Sequence, residues 1–227
     1  MFGLLLGIIY ISFISLGLPD ALLGSGWPII HEELNVPVSY AGIVSMIITI
    51  GTIISSFFSD KVIRKFGTGL VTAISVAMTA FALFGFSVSS HFWMLCLFSI
   101  PYGLGAGSVD AALNNFVALH YKARHMSWLH CFWGIGASLG PVIMGQCLIN
   151  GKHWTLGYEI VSFLQFGLSV ILFCSLFLWK KFDSSNNENK ENYKNISLIE
   201  LLKLPKAKCA LIGFFCYCGL ELSTGLW

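Results

Sequence analysis

The sequence predicts an all-α membrane protein: a bundle of six transmembrane helices followed by a seventh. Composition is the first reason. Of 227 residues, 56% are hydrophobic and 11% charged, and the mean hydropathy is +0.78, too apolar for a chain solvated as one soluble globule. Spacing is the second. A hydrocarbon layer of about 30 Å takes about 20 apolar residues as a helix, and the chain holds stretches of that length without Lys or Arg at 3–26, 39–58, 68–88, 92–118, 128–149, 156–178 and 209–227. An outer-membrane barrel would instead alternate in strands of about ten residues, a pattern not found here.

Charge placement orients the bundle. Of 13 Lys and Arg, Lys152 alone falls in an odd-numbered connector; Lys61, Arg64, Lys65, Lys122, Arg124, Lys180, Lys181, Lys190, Lys194, Lys203, Lys206 and Lys208 fall in even ones. Basic loops stay in the cytoplasm, so the expectation is a multi-pass protein of the cell's inner membrane with a cytoplasmic N-terminus. The net charge of +2 is distributed among loops rather than gathered on one face, so it gives no sign of nucleic-acid binding and no such partner is expected. No Lys or Arg precedes Lys61, so the first span lacks the basic region of a cleaved signal peptide. The seven cysteines all fall within spans, where they act as small apolar residues; neither a disulfide nor a metal site is expected.

Three segments follow: a six-helix bundle at 1–179, a cytoplasmic linker at 180–208, and a seventh span at 209–227. Residues 183–195 are rich in Ser, Asn, Glu and Lys, the composition of a disordered linker. Residues 197–204 read as a short amphipathic surface helix stopped by Pro205. Six helices, a long connector and a new span is the layout of one half of a two-half carrier. A seventh span ending at Trp227 without a charged anchor is expected of the N-terminal portion of a longer chain, its C-terminal half missing.

Three carboxyls lie at membrane depth: Asp20 in the first span, Asp110 in the fourth and Glu221 in the seventh. A charge at the bilayer centre costs about 2.5–3.5 kcal/mol on the mildest scales, and no Lys or Arg lies within the spans to offset it. A carboxyl so placed can take up and release a proton near neutral pH; the plainer use is a hydrogen-bonded acid joining helices. Gly103, Gly107, Asp110 and Asn114 recur on one helical face, and Gly17, Asp20, Gly24 and Trp27 form a comparable row. A carboxyl beside an amide suits a hydroxyl-rich solute. Trp27, Trp133 and Trp227 could stack on a sugar ring, although Trp27 reads best as an interfacial anchor. His31, His91, His120, His125, His130 and His153 sit at helix ends or in connectors, away from mid-depth. No nucleophile and base, and no His-acid cluster, pair at depth, so an enzyme is not expected.

Asp60, Lys61, Arg64 and Lys65, before Phe66 and Gly67, occupy the short connector between the second and third spans. With Ser56 they resemble the signature of the major facilitator superfamily, Gly-x-x-x-Asp-Arg/Lys-x-Gly-Arg-Arg/Lys, with Ser56 and Ile63 replacing its two glycines. The resemblance implies a fold of six plus six helices, each six an inverted repeat of three plus three, and a cytoplasmic gating loop formed by those four charged residues.

Within the superfamily the chain is similar to the fucose permease branch of sugar/proton symporters. Leu18-Pro19-Asp20-Ala21-Leu22-Leu23, Gly103 to Asp110 with Asn114-Asn115-Phe116-Val117, and Tyr217 to Trp227 follow that branch's motifs in order and spacing. Asp110 replaces Glu, Asn115 replaces Pro and Pro19 replaces Asn, so sugar identity does not carry over. The resemblance implies proton-coupled symport of a sugar or other small polar solute. Asp20, Asp110, Asn114 and Glu221 would bind proton and solute, the proton being the coupling ion with no cofactor. A rival signal, Gly136-x-x-x-Gly140-Pro141-x-x-x-Gly145, resembles the motif of drug/proton antiporters; a kinked, small-faced helix explains it structurally. A non-transporting fragment is the remaining alternative.

Overall fold

The computed structural model describes residues 2–185 and 203–226. The predicted all-α fold is what it shows. The first span is two helices, α1 (Phe2–Gly17) and α2 (Leu22–Glu33), separated by a turn at residues 18–21. Pro19 supplies the break, because it has no N–H to continue the ladder; Asp20 N–H bonds Gly17 O at 3.2 Å and Leu22 N–H bonds Pro19 O at 3.1 Å, both three residues back. After a 3-10 turn at Val38–Tyr40 come α3 (Ala41–Phe66), α4 (Thr68–Ser87), α5 (Phe92–His120), α6 (Ala123–Ile149) and α7 (Trp154–Cys174). Helix α8 (Leu176–Ser185) continues from α7, and α9 (Pro205–Leu226) opens on a proline, a residue suited to the first helical position. Among the described residues six helical spans are long and apolar enough to cross a bilayer, the first running Gly3–Glu33. The expected linker helix and Trp227 lie outside the described residues wholly or in part.

Packing follows the inverted plan. The first span pairs with the fifth (α1 on α6) and the fourth with the second (α5 on α3), while the third and sixth (α4 and α7) meet between these pairs. Since lipid is as apolar as a leucine side chain, small residues that let backbones approach must hold such pairs together. A Cβ at Gly136 or Gly140 would overlap the carbonyl oxygens of Ile14 or Leu18, and one at Gly17 the carbonyl of Trp133. In the other pair, Gly103 abuts Ile48 O and Gly107 abuts Thr52 O. Among the described residues, large side chains fill two cores. Trp27, Tyr102, Trp154 and Tyr158 belong to one, and Phe13, Phe116, Leu129 and Trp179 to the other. Outward positions such as Ile53, Phe57, Trp93 and Phe177 are exposed and apolar, as a lipid-facing surface requires.

Four expectations are corrected. The first span does not end at residue 26: the helix runs through Pro28 to Glu33. Trp27 is not an interfacial anchor but is 3% exposed, its indole N–H donating to Val38 O at 2.7 Å and tying α2 to the start of the second span. Asp60, Lys61, Arg64 and Lys65 do not form a loop. They occupy the last two turns of α3, and the reversal is made by Gly67, whose φ of 82° favours glycine. Gly145 plays no packing part, since nothing lies within 4 Å of a Cβ placed there, and α6 continues unbroken through Pro141.

Candidate functional site

The break in the first span places Asp20 at depth. Helix α2 has 12 residues, about 18 Å of rise, so the Asp20 carboxyl stands nearly that far below Glu33. Its two oxygens have different donors. Tyr102 Oη donates to Oδ1 at 3.2 Å and Trp133 Nε1 donates to Oδ2 at 2.9 Å. Each donor is positioned by packing: Tyr102 is buried beside Phe86, and Trp133 follows from the contact of its own backbone with Gly17. A carboxylate accepting one bond at each oxygen is well served as an anion. Asp20 is nevertheless exposed on the bundle surface. Charge is costly in hydrocarbon, so that face turns toward a solvated cavity or another protein surface rather than toward lipid chains.

Asp110 and Asn114 come together as expected. Asn114 Nδ2 donates to Asp110 Oδ1 at 2.9 Å and to the Asp110 carbonyl at 3.0 Å, within α5. Both residues are half-buried. Tyr102 precedes Asp110 on the same helix by about two turns, roughly 12 Å of rise, so α5 carries one partner of the first acid and the second acid itself. The side chain of Glu221 lies outside the described residues; its backbone belongs to α9.

On α3, Arg64 pairs with Asp60 one turn back, and both are exposed. Lys61 and Lys65 lie over the rings of Phe58 and Phe66, with Nζ 5.8 and 5.2 Å from the centroids. Among the described residues, bonds to α5 brace this helix. Thr52 Oγ1 donates to Gly103 O at 3.3 Å and Ser56 Oγ to Gly107 O at 3.2 Å. The serine standing where the signature has glycine thus both allows the close approach and supplies a bond across it.

Sequence reasoning missed the broken helix and the partners of Asp20. Pro19 directly before the acid was the available signal for the break. Nothing local marked Tyr102, which sits 82 residues away in the chain. Two further links were equally silent: Tyr10 Oη with His125 Nδ1 at 2.8 Å, joining the middle of α1 to the first turn of α6, and Glu33 with His153 and Trp154, joining the end of α2 to the start of α7.

Comparison with known proteins agrees with this architecture. Residues 9–227 match the model of the Major Facilitator Superfamily. Over 181 residues the chain is 22% identical to a glucose/mannose transporter of Bacillus subtilis, covering 79% of this chain and 43% of that protein. It is 26% identical over 170 residues to the quinolone resistance protein NorA of Staphylococcus aureus, covering 72% and 42%. It is 27% identical over 169 residues to synaptic vesicle glycoprotein 2C of Rattus norvegicus, covering 70% and 23%. The chain therefore spans less than half the length of these relatives.

Proposed function

The chain belongs to the major facilitator superfamily, and from that premise we propose that it supplies the N-terminal half of a secondary active carrier. The carrier couples proton movement to symport of a sugar or similarly hydroxylated solute, by alternating access, in the cell's inner membrane with the N-terminus in the cytoplasm. The observation that supports this most is the Asp20 carboxylate, held by a phenol and an indole from two other spans at the break of the first. Protonating it removes the charge that the two donors serve, so the three spans it joins are released from one another as the proton binds. Asp110 with Asn114 offers an acceptor and donor pair of the kind a sugar hydroxyl uses, and Glu221 is the corresponding candidate on the seventh span. The Asp60 to Lys65 turns gate the cytoplasmic side.

A second reading, proton-coupled efflux of an apolar compound, draws on the similarity to NorA. The glycines that suggested it, Gly136 and Gly140, are accounted for by the contact with α1, so symport is preferred. The test is a cell expressing the gene from its own start codon to its own stop codon. Adding D-glucose, D-mannose or L-fucose to lightly buffered, de-energised cells should alkalinise the medium, and Asp20→Asn should abolish the signal. Undiminished alkalinisation in Asp20→Asn would remove the acid from the mechanism; proton release on adding a quinolone, with no response to any hexose, would favour efflux.

A further inference from the structure

Pro19 leaves a debt in α1. A helical carbonyl bonds the N–H four residues on, and for Ser15 that residue is Pro19, which has none. Ser15 is buried, and at this depth in a bilayer no bulk water is available to accept the stranded oxygen. The group that meets it comes from another span. Gln165 Nε2, on α7, donates to Ser15 O at 2.8 Å. The amide of Gln165 is itself oriented: Thr79 Oγ1, on α4, donates to Gln165 Oε1 at 2.7 Å. Reversing the amide would set its oxygen against the Ser15 carbonyl oxygen, so only one orientation satisfies both ends. Gln165 is 1% exposed and Thr79 3%, so this chain of bonds is enclosed on all sides.

We propose that Gln165 is a positioning residue for Asp20: by taking the carbonyl that Pro19 strands, it gives the break at residues 18–21 one defined conformation and so sets where the carboxylate meets Tyr102 and Trp133. This rests on the reading of Asp20 as the proton site, and it adds a residue that does not touch that site. Ser15 lies one turn before the break, so the bond from α7 fixes the last turn of α1 at the point where its own ladder cannot continue. Without the amide, the stranded oxygen must find a donor by reshaping the turn that carries Asp20. Thr79 acts one step further out, by holding the amide.

The test reads Asp20 directly and needs no transport. Purified protein is treated with dicyclohexylcarbodiimide, which reacts with protonated carboxyls in apolar surroundings, and labelling of the Asp20 peptide is followed by mass spectrometry from pH 5 to 9. Gln165→Leu should change Asp20 labelling near neutral pH about threefold, the scale of a weakened charge-assisted bond, and displace the whole pH profile. Thr79→Val should do the same to a smaller extent, and serves if Gln165→Leu does not fold. In the Pro19→Ala background, where a backbone N–H is restored to Ser15, adding Gln165→Leu should leave the profile where Pro19→Ala puts it. A lowered melting temperature with an unmoved profile would show a plain brace between helices and overturn the proposal, as would an equal displacement with and without Pro19. Loss of the symport reading is separately visible: Asp20→Asn would then transport normally while the labelling profile still answered to Gln165.

Discussion

The α1–α6 pair and the α3–α5 pair are two versions of one construction, related by the inverted repeat, and they differ in what they do with their acid. Both are closed by glycines set against carbonyl oxygens of the facing helix. Both contain a proline near the acid-bearing stretch, Pro19 in the first span and Pro101 in the fourth. Helix α5 stays continuous through its proline, and its Asp110 bonds Asn114 one turn on in the same helix. The first span is broken at its proline, and its Asp20 bonds two other spans. A bond within one helix travels with that helix as a rigid body. A bond between helices senses their relative movement, so under the proposed coupling a proton arriving at Asp20 would act on how spans one, four and five sit together, whereas the Asp110–Asn114 bond itself lies within one helix.

The largest expected effect tests what the two pairs share. Gly140→Val and Gly103→Val should each cost about 3 kcal/mol, because the new side chain must displace a backbone carbonyl and with it a whole helix. Melting of the purified protein in detergent measures this. Gly145→Val, with open space around it, should stay within about 0.5 kcal/mol of the parent. A well-tolerated Gly140→Val beside a damaging Gly103→Val would break the equivalence of the pairs.

Next comes what separates them. Asp20→Asn should reduce solute-driven proton uptake about a hundredfold, the usual scale for losing a group that must exchange a proton. Asp110→Asn should reduce it about tenfold, the equivalent of one charge-assisted hydrogen bond. Equal losses would erase the contrast between the interhelical bonds of Asp20 and the Asp110–Asn114 bond within α5. Smaller again, Tyr102→Phe and Trp133→Phe each remove one donor from Asp20, and each should slow uptake about five- to tenfold. The pair of changes together should fall short of the product of the two, since both act on one carboxylate.

How much of this was legible in the sequence depends on the range of the interaction. The spans could be read because apolar length is a local property, and the pairing of Asp110 with Asn114 because a helix places residues four apart side by side. Gly136 and Gly140 announced a close helix contact but not the partner. The last turns of α3 were misread as a loop because charge marks the membrane edge, whereas helix ends follow backbone preference; there Gly67 stops the helix, not Asp60. Tyr102, Trp133 and Gln165 were illegible as site residues. Each reaches its partner across more than 80 positions of chain, and in an apolar helix a Tyr, Trp or Gln looks the same whether or not a partner waits for it. Pro19 could have prompted the search, since a proline at mid-span leaves a carbonyl that must be satisfied from elsewhere.

The smallest predicted effect concerns the far half of the broken span. If the first span needs a defined break, α2 must be held as firmly as α1, and α7 again supplies the hold: Glu33 Oε1 meets His153 Nε2 at 2.6 Å, and Trp154 Nε1 donates to Oε2 at 2.7 Å. His153 Nδ1 accepts from Thr155 N–H at 3.4 Å, capping the start of α7, which leaves Nε2 as the nitrogen that faces Glu33. The two bonds differ in weight. Glu33 and His153 are half exposed, and a pair of that kind contributes about 0–1 kcal/mol. Trp154 is 1% exposed, and stranding its indole N–H costs about 1–3 kcal/mol. Glu33→Gln keeps an oxygen for Trp154 and should lower stability by less than about 1 kcal/mol, whereas Glu33→Ala should cost about 2 kcal/mol, both read from detergent melting curves. The unbroken fourth span has no comparable need for a hold on two halves. Should Glu33→Ala destabilise the protein and leave Asp20 labelling by carbodiimide unchanged, the clamp on α2 serves the outer end alone, and the position of Asp20 is set from the α1 side through Gln165.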